Sequence, residues 1–216
     1  MSDDVVVRAT GVGKRYGRLA PTLVDINFSV PPGSIVTLAG SNGSGKSTLL
    51  RCIAGLAKYT GSIEVCGHRV NGTVDSRRPL GYLPQVVTLP QHATVAESIA
   101  FFADLRGADP MDLPFPDGFL CDAQTRVGTM SGGQKQRLAL AVALLGAPRL
   151  LLLDEPVANL DEEGRAAVWQ ALLDLRAQGT TALIASPSPK DLVGFVDRTV
   201  VLRDGKIVDD REEVGS

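Results

Sequence analysis

The 216-residue chain carries only three cysteines, two histidines, 5% aromatic residues and a formal net charge of −2. It also lacks a long apolar run. Its most apolar stretch, Leu138 to Leu153, is interrupted by Gly146, Pro148 and Arg149, short of the roughly 18 uninterrupted apolar residues of a membrane-spanning helix. The chain is therefore expected to be soluble. Cys52, Cys66 and Cys121 are odd in number and have no metal-ligand spacing, which excludes a disulfide framework and fits reduced cysteines inside a cell. The weak charge gives no electrostatic reason for a nucleic-acid partner. Met1 to Asp4 is acidic and no apolar targeting core follows it, so secretion is not expected.

The remainder is ordinary globular material, 44% hydrophobic and 21% charged, enough for one sizeable core with a small appended lobe. Val5 to Ala9, Leu23 to Val30 and Ser34 to Ala39 read as strands divided by Gly and Pro. Ser47 to Leu56 has helical spacing, and Ser62 to Val65 with Leu80 to Leu83 returns to strand. Thr94 to Arg106 predicts a helix whose N-cap Thr94 and Glu97 form a capping box. Pro110, Pro114, Pro116 and Gly118 forbid a regular helix over Gly107 to Cys121. The helical pattern resumes over Gly133 to Leu145, and Leu150 to Leu153 is too apolar and short for anything but a strand buried on both faces. Helix Glu162 to Ala177 and strands Thr181 to Ala185, Val200 to Leu202 and Lys206 to Val208 follow. This alternation predicts an α/β fold with a mainly parallel sheet covered by helices. Gly11, Gly13 and Gly17 miss the spacing of a dinucleotide fingerprint and read as a turn. His68, His92 and the pair Arg77 and Arg78 read as surface or loop residues.

Three motifs carry chemistry. Gly40, Ser41, Asn42, Gly43, Ser44, Gly45, Lys46, Ser47 and Thr48 lie between a strand and a helix, the context of a Walker A phosphate loop. Backbone N–H groups freed by the glycines wrap a triphosphate at a helix start whose dipole favours anions. Lys46 is placed for the β- and γ-phosphates and the Ser47 hydroxyl for Mg²⁺. Asp154, ending the buried leucine strand, supplies an anionic ligand for that ion, and Glu155 a carboxylate able to polarise or deprotonate a water. Ser131, Gly132 and Gly133 open a second helix and hence a second anion site.

In this order the motifs make the chain resemble the ATPase subunits of ATP-binding cassette (ABC) transporters, from about Val5 to Asp209. The resemblance implies a P-loop NTPase-type core with an N-terminal antiparallel β lobe (1–85 and 148–216) and an abbreviated helical lobe (86–147). It implies that Ser131, Gly132, Gly133 and Gln134, continued by Gln136 and Arg137, grip ATP held by an opposite subunit, so that ATP joins a head-to-tail homodimer or a heterodimer with a homologous cassette. Tyr16 matches the residue on which adenine stacks, a contact worth about 1–3 kcal/mol per base. Gln85 matches the glutamine that touches Mg²⁺ and the attacking water, and Asp161 the loop that crosses to the other subunit. The implied partners are separately encoded transmembrane permease subunits, at the inner face of the cell membrane. Nucleic acid is not an implied partner, since repair relatives carry long coiled-coil or zinc inserts and translation relatives carry two cassettes. Two departures stand out. Pro187 occupies the place of a histidine that senses the γ-phosphate, and proline offers neither side-chain donor nor N–H; Ser186 or Ser188 replaces it only in part. This opens an alternative, an ATP-gated dimerising module with weak hydrolysis. The second departure lies between Thr94 and Met130, where the Pro-rich insert stands in place of one helix; Leu80 to Pro110 and the short C-terminus look most like small exporter-type and haem-exporter-type ATPases.

Overall fold

The computed structural model describes residues 5–70, 78–111, 113–187, 192 and 194–213. In chain order its elements are β1 (Val7–Arg15), β2 (Pro21–Val30), β3 (Ile35–Ala39), α1 (Lys46–Ile53), β4 (Thr60–Val65), β5 (His68–Arg69), β6 (Leu80–Leu83), α2 (Val95–Arg106), α3 (Gly132–Leu144), β7 (Leu150–Asp154), α4 (Glu162–Ala177), β8 (Thr181–Ser186), β9 (Arg198–Arg203) and β10 (Lys206–Glu212), with a 3-10 turn at Val127–Thr129.

The leucine run of β7 organises these elements. The strand is buried throughout, and its side chains part by alternation: Leu150 and Leu152 enter one hydrophobic core, Leu151 and Leu153 the other. A strand apolar on both faces needs cover on both. One face is covered by α1 and a four-stranded antiparallel sheet ordered β2-β1-β4-β5, through residues such as Leu49, Ile53, Ile26 and Ile63. The other is covered by α2, α3 and α4, through Ile99, Leu140, Val168 and Trp169. The six-stranded sheet between them runs β10-β9-β3-β8-β7-β6, parallel except where β10 pairs with β9. Among the described residues no helix is long and apolar enough to cross a membrane.

Where a cap or a proline punctuates the sequence, the elements fall as expected. Helix α4 spans the predicted residues, and α2 begins behind Thr94, whose Oγ1 accepts from the Glu97 N–H at 3.2 Å while Glu97 Oε2 accepts from the Thr94 N–H at 2.8 Å. The described part of Gly107 to Cys121 contains no helix; Phe115 and Phe119 stack there with ring centres 3.9 Å apart. Gly11 and Gly13 are a correction, because they lie inside β1 and not in a turn. Gly11 has φ +60° beside a register shift, the signature of a bulge, and Thr60 Oγ1 would stand 2.7 Å from a Cβ at Gly13. His68 falls in the two-residue strand β5, whose residues are both exposed, so alternation could not announce it. His92 and Arg78 are exposed turn residues; Arg77, Ser188 and Met1 to Asp4 lie outside the described residues.

The parallel strands β3, β6, β7 and β8 end at one edge of the sheet. Gly40, Gln85, Asp154 with Glu155, and Pro187 follow those ends, the side on which open parallel sheets bind ligands.

Candidate active site

The phosphate loop is built from backbone that only glycine tolerates. At Gly40 φ is +149°, and a Cβ would lie 2.3 Å from the Leu202 carbonyl oxygen. Gly45, the N-cap of α1, has φ +109° and offers no side chain to the helix, so the first-turn N–H groups have no side-chain cap. That is the condition for anion binding at a helix start. A Cβ on Gly45 would meet Leu23 Cδ2 at 2.8 Å and the Thr22 carbonyl oxygen at 3.0 Å, so the loop is clamped against β2. Lys46 is buried, and its Nζ donates to the carbonyls of Gly40 at 2.7 Å and Ser41 at 3.0 Å. Burial lowers its pKa, while Glu155 and Asp154 act to raise it. The buried Ser44 Oγ has no hydrogen-bond partner among the described residues.

The acidic side of the site comes from β7. Ser47 Oγ donates to Asp154 Oδ1 at 3.1 Å. Burial raises the pKa of Asp154, the Ser47 hydrogen bond opposes that shift, and the neighbouring Glu155 charge adds to it. Glu155 takes a left-handed backbone at φ +52°, held by its N–H donating to the Ala185 carbonyl at 3.0 Å. Such a conformation costs a non-glycine residue on the order of 1–3 kcal/mol, and here it turns the carboxylate from the strand toward the loop. Gln85 Nε2, beyond the end of β6, donates to Glu155 Oε1 at 3.2 Å.

One pocket of ≈ 170 Å³ thereby gathers Asn42, Gly43, Gly45, Lys46, Ser47 and Thr48 with Gln85 and Glu155. Thr22 also lines it; sequence reasoning missed this residue, because nothing in β2 signals that its start packs on the loop. Ser41, exposed, and Ser44, buried, are not among the residues that line it. Tyr16 lies just past β1, outside that pocket, 38% exposed, with Lys14 Nζ 4.5 Å from its ring centre.

The second helix start, at α3, stands apart from the pocket and is closed on itself. Ser131 Oγ accepts from the Gln134 N–H at 3.2 Å, and Gln134 Oε1 accepts from the Ser131 N–H at 2.8 Å. Nothing lies within 4 Å of a Cβ built on Gly132, whereas one on Gly133 would sit 2.8 Å from the Asn159 carbonyl oxygen. Gln136 Nε2, buried, donates to the Pro156 carbonyl at 3.0 Å and ties α3 to the segment after Glu155. Asp161 is engaged within its own chain. Its Oδ1 caps α4 by accepting from the Gly164 N–H at 2.9 Å, and it pairs with Arg137 at 2.5 Å. Those two contacts, in that order, depress its pKa. Pro187 is exposed and, with Glu155 and Ser186, lines a separate cleft of ≈ 340 Å³.

Comparison with known proteins points to one family. The family model described as "ABC transporter" matches residues 23–158. The chain is 37% identical over 220 residues to the lipoprotein-releasing system ATP-binding protein LolD 1 of Rhodospirillum rubrum, covering 95% of this chain and 96% of that protein. It is 35% identical over 219 residues to the Nod factor export ATP-binding protein I of Sinorhizobium fredii, covering 96% of this chain but 63% of that protein. To the Fe(3+) ions import ATP-binding protein FbpC of Pseudomonas fluorescens it is 37% identical over 212 residues, spanning 91% of this chain and 58% of that protein. Among solved structures, an ATP-binding subunit of an ABC transporter superposes with TM-score 0.88 at 25% identity, covering 96% and 90% of the two chains. A dimeric ATP-binding cassette in a post-hydrolysis state bound to ADP and Pi gives 0.85 at 26% identity, covering 97% and 100%.

Proposed function

From the premise that this chain belongs to the ABC transporter family, as an ATP-binding cassette, we propose that it is the ATP-hydrolysing subunit that drives separately encoded transmembrane permease subunits. The observation that carries this reading is the convergence of Lys46, Ser47, Gln85 and Glu155 on one pocket. Lys46 exchanges its two loop carbonyls for phosphate oxygens, and the uncapped N–H groups of α1 receive the rest of the phosphate charge. Glu155, bonded to the Gln85 amide, accepts the proton of the attacking water, general-base assistance worth about 10²–10⁴ in rate.

A magnesium ion suits the oxygen donors present: Ser47 Oγ and Asp154 Oδ1 already lie 3.1 Å apart, and Gln85 adds an amide oxygen. These three residues would hold it. When bound, the ion supplies positive charge against the phosphates.

The dimeric cassette structure supports a head-to-tail dimer, in which Ser131, Gly132, Gly133 and Gln134 of one chain face the ATP of the other and Asp161 crosses between them. Tyr16 stacks on adenine. Residues 86–147 form the helical lobe and 1–85 with 148–216 the core with its β lobe. The relatives are named as ATP-binding proteins of export, release and import systems, which supports a place at the inner face of the cell membrane.

Hydrolysis by wild type and Glu155→Gln tests the reading. The variant should turn over about 10²–10⁴ times more slowly while still binding ATP. The donor-free Pro187 beside Glu155 favours a second reading, an ATP-gated module with weak hydrolysis. Equal, negligible rates from both proteins would overturn the first reading in favour of the second.

A further inference from the structure

We infer that the sheet edge opposite the nucleotide pocket carries a second anion site, which takes the phosphate group of a small phosphomonoester. This site goes beyond the nucleotide-binding function and does not depend on it.

The residues lining a cavity of ≈ 460 Å³ include His68, Arg78 and Arg149, the apolar Pro79, Ala147 and Pro148, and, among those described, no carboxylate. Three separate segments bring the basic residues there, and backbone pairing fixes each segment. Cys66 and Gly67 take positive φ of +48° and +80°, as in a primed hairpin turn, which sets His68 opposite Val65. The Pro79 carbonyl accepts from the Leu150 N–H at 3.1 Å, and the Arg149 carbonyl accepts from the Thr181 N–H at 3.0 Å. Arg78 and Arg149 therefore stand at the starts of the neighbouring parallel strands β6 and β7.

Charge is unbalanced at this edge, although the chain as a whole is weakly acidic. The side chains of His68 and Arg78 have no hydrogen bond or ion pair among the described residues. Arg149 is engaged within the chain, but a guanidinium has five donors, more than one partner uses. A further cation lies beside the cavity: a Cβ built on Gly146, another lining residue, would be 3.7 Å from Arg106 Cβ. Arg106 Nη1 donates to the carbonyls of Leu80 at 3.3 Å and Leu145 at 3.1 Å. Burial lowers its pKa, and no carboxylate acts to raise it.

The donor set selects the ligand. Guanidinium groups match phosphate oxygens in pairs. A phosphomonoester offers about two negative charges and three acceptor oxygens at neutral pH, enough for two arginines and an imidazole together, whereas a carboxylate offers one charge and two oxygens. The cavity is of the size of small-molecule pockets, about 300–1,000 Å³, so it has room for an organic group beyond the phosphate. The strand from Arg149 to Asp154 spans roughly 16 Å, so this phosphate is not one that the nucleotide pocket could hold.

Calorimetry with sn-glycerol 3-phosphate, and with glycerol as the phosphate-free control, tests the site in wild type, Arg78→Gln, Arg78→Lys and Lys46→Met. Wild type should bind the ester and not glycerol. Arg78→Gln, a change at an exposed side chain, should weaken binding about 10- to 100-fold. Arg78→Lys keeps the charge without the fork and should fall between the two, while Lys46→Met should bind as wild type does. Absence of binding to wild type, or binding that survives Arg78→Gln, overturns the proposal. So does binding lost in Lys46→Met and kept in Arg78→Gln, which would place the ester in the phosphate loop. Sedimentation with phosphatidate and phosphatidylcholine vesicles then separates the two sources of such a group. Arg78-dependent capture by phosphatidate alone identifies a lipid headgroup, and binding of the soluble ester without capture identifies a free metabolite; both support the site.

Discussion

Helices α1 and α3 both begin behind a serine-and-glycine segment and both present an anion-favouring dipole end, yet their first turns are satisfied in opposite ways. The N-cap of α1 is Gly45, with no side chain and a left-handed φ of +109°. Its N–H groups are kept for a ligand by backbone that the surrounding packing enforces. The N-cap of α3 is Ser131, which closes a reciprocal capping box with Gln134. There the N–H groups of Ser131 and Gln134 already have side-chain acceptors, and an anion bound at those two groups must displace them. The first end is preorganised, which removes an ordering cost from binding; the second is stable alone and yields only to a partner that replaces what it gives up. Under the proposed function this difference orders the events: nucleotide binds at the open end first, and pairing through the closed end follows.

The largest expected effects lie at the open end. Lys46→Met removes the ammonium that sits between the Gly40 and Ser41 carbonyls. Charge-assisted hydrogen bonds contribute about 1.5–3 kcal/mol each, so ATP affinity measured by calorimetry should fall on the order of 10²-fold. Unchanged affinity would mean that the open end is not the nucleotide site. A glycine pair then tests rigidity. Gly45→Ala puts a Cβ into Leu23 and Thr22 at φ +109°, a strain of about 1–3 kcal/mol. Its thermal midpoint should drop by roughly 2–4 °C for each kcal/mol. Gly132→Ala meets open space and should leave the midpoint of the isolated chain where it is. Equal losses in the two variants would erase the contrast.

Much of this contrast was hidden in the sequence, although the motifs were plain. Glycine and lysine at fixed spacing identify the phosphate loop because few other jobs need them together. The leucine run of β7 predicted its two-sided burial because alternation cannot hide a strand apolar on both faces. Capping residues gave α2 its start. The missing information is of two kinds. Backbone conformation of an ordinary residue leaves no mark, so the φ of +52° that turns Glu155 toward the loop could not be read. Long-range contacts leave none either: Thr22 reaches the pocket only because β2 packs on the loop, and Asp161, expected to cross to another subunit, is held by Arg137 from 24 residues away. Gly11 and Gly13 read as a turn because a bulged strand and a turn call for the same residue.

Ser131→Ala is the smaller test of the closed end. Losing a serine cap costs about 1 kcal/mol, so the midpoint should fall by roughly 2–4 °C with ATP affinity of the monomer unchanged. A variant as stable as wild type would mean that the first turn of α3 is not held by its own side chains.

The two ends also differ in how pH reaches them. Neither Ser131 nor Gln134 titrates, so the stability lost in Ser131→Ala should be the same at every pH where the chain is folded. The open end contains Asp154, whose pKa burial raises above the unfolded value. A carboxyl group of that kind binds its proton more tightly in the folded chain. Its contribution to stability is full below the unfolded value of about 3.9 and is lost as pH rises through the raised folded value. At neutral pH the ionised Asp154 is therefore a cost to the nucleotide-free protein. Asp154→Asn keeps an acceptor for the Ser47 hydroxyl without the charge, so it should melt higher than wild type at pH 7 in the absence of nucleotide. The gap should narrow as pH falls toward that value, and hydrolysis should be lost throughout. A variant that melts lower than wild type at pH 7 would mean that the carboxylate stabilises the open end, and the strain of readiness would then lie in the backbone alone.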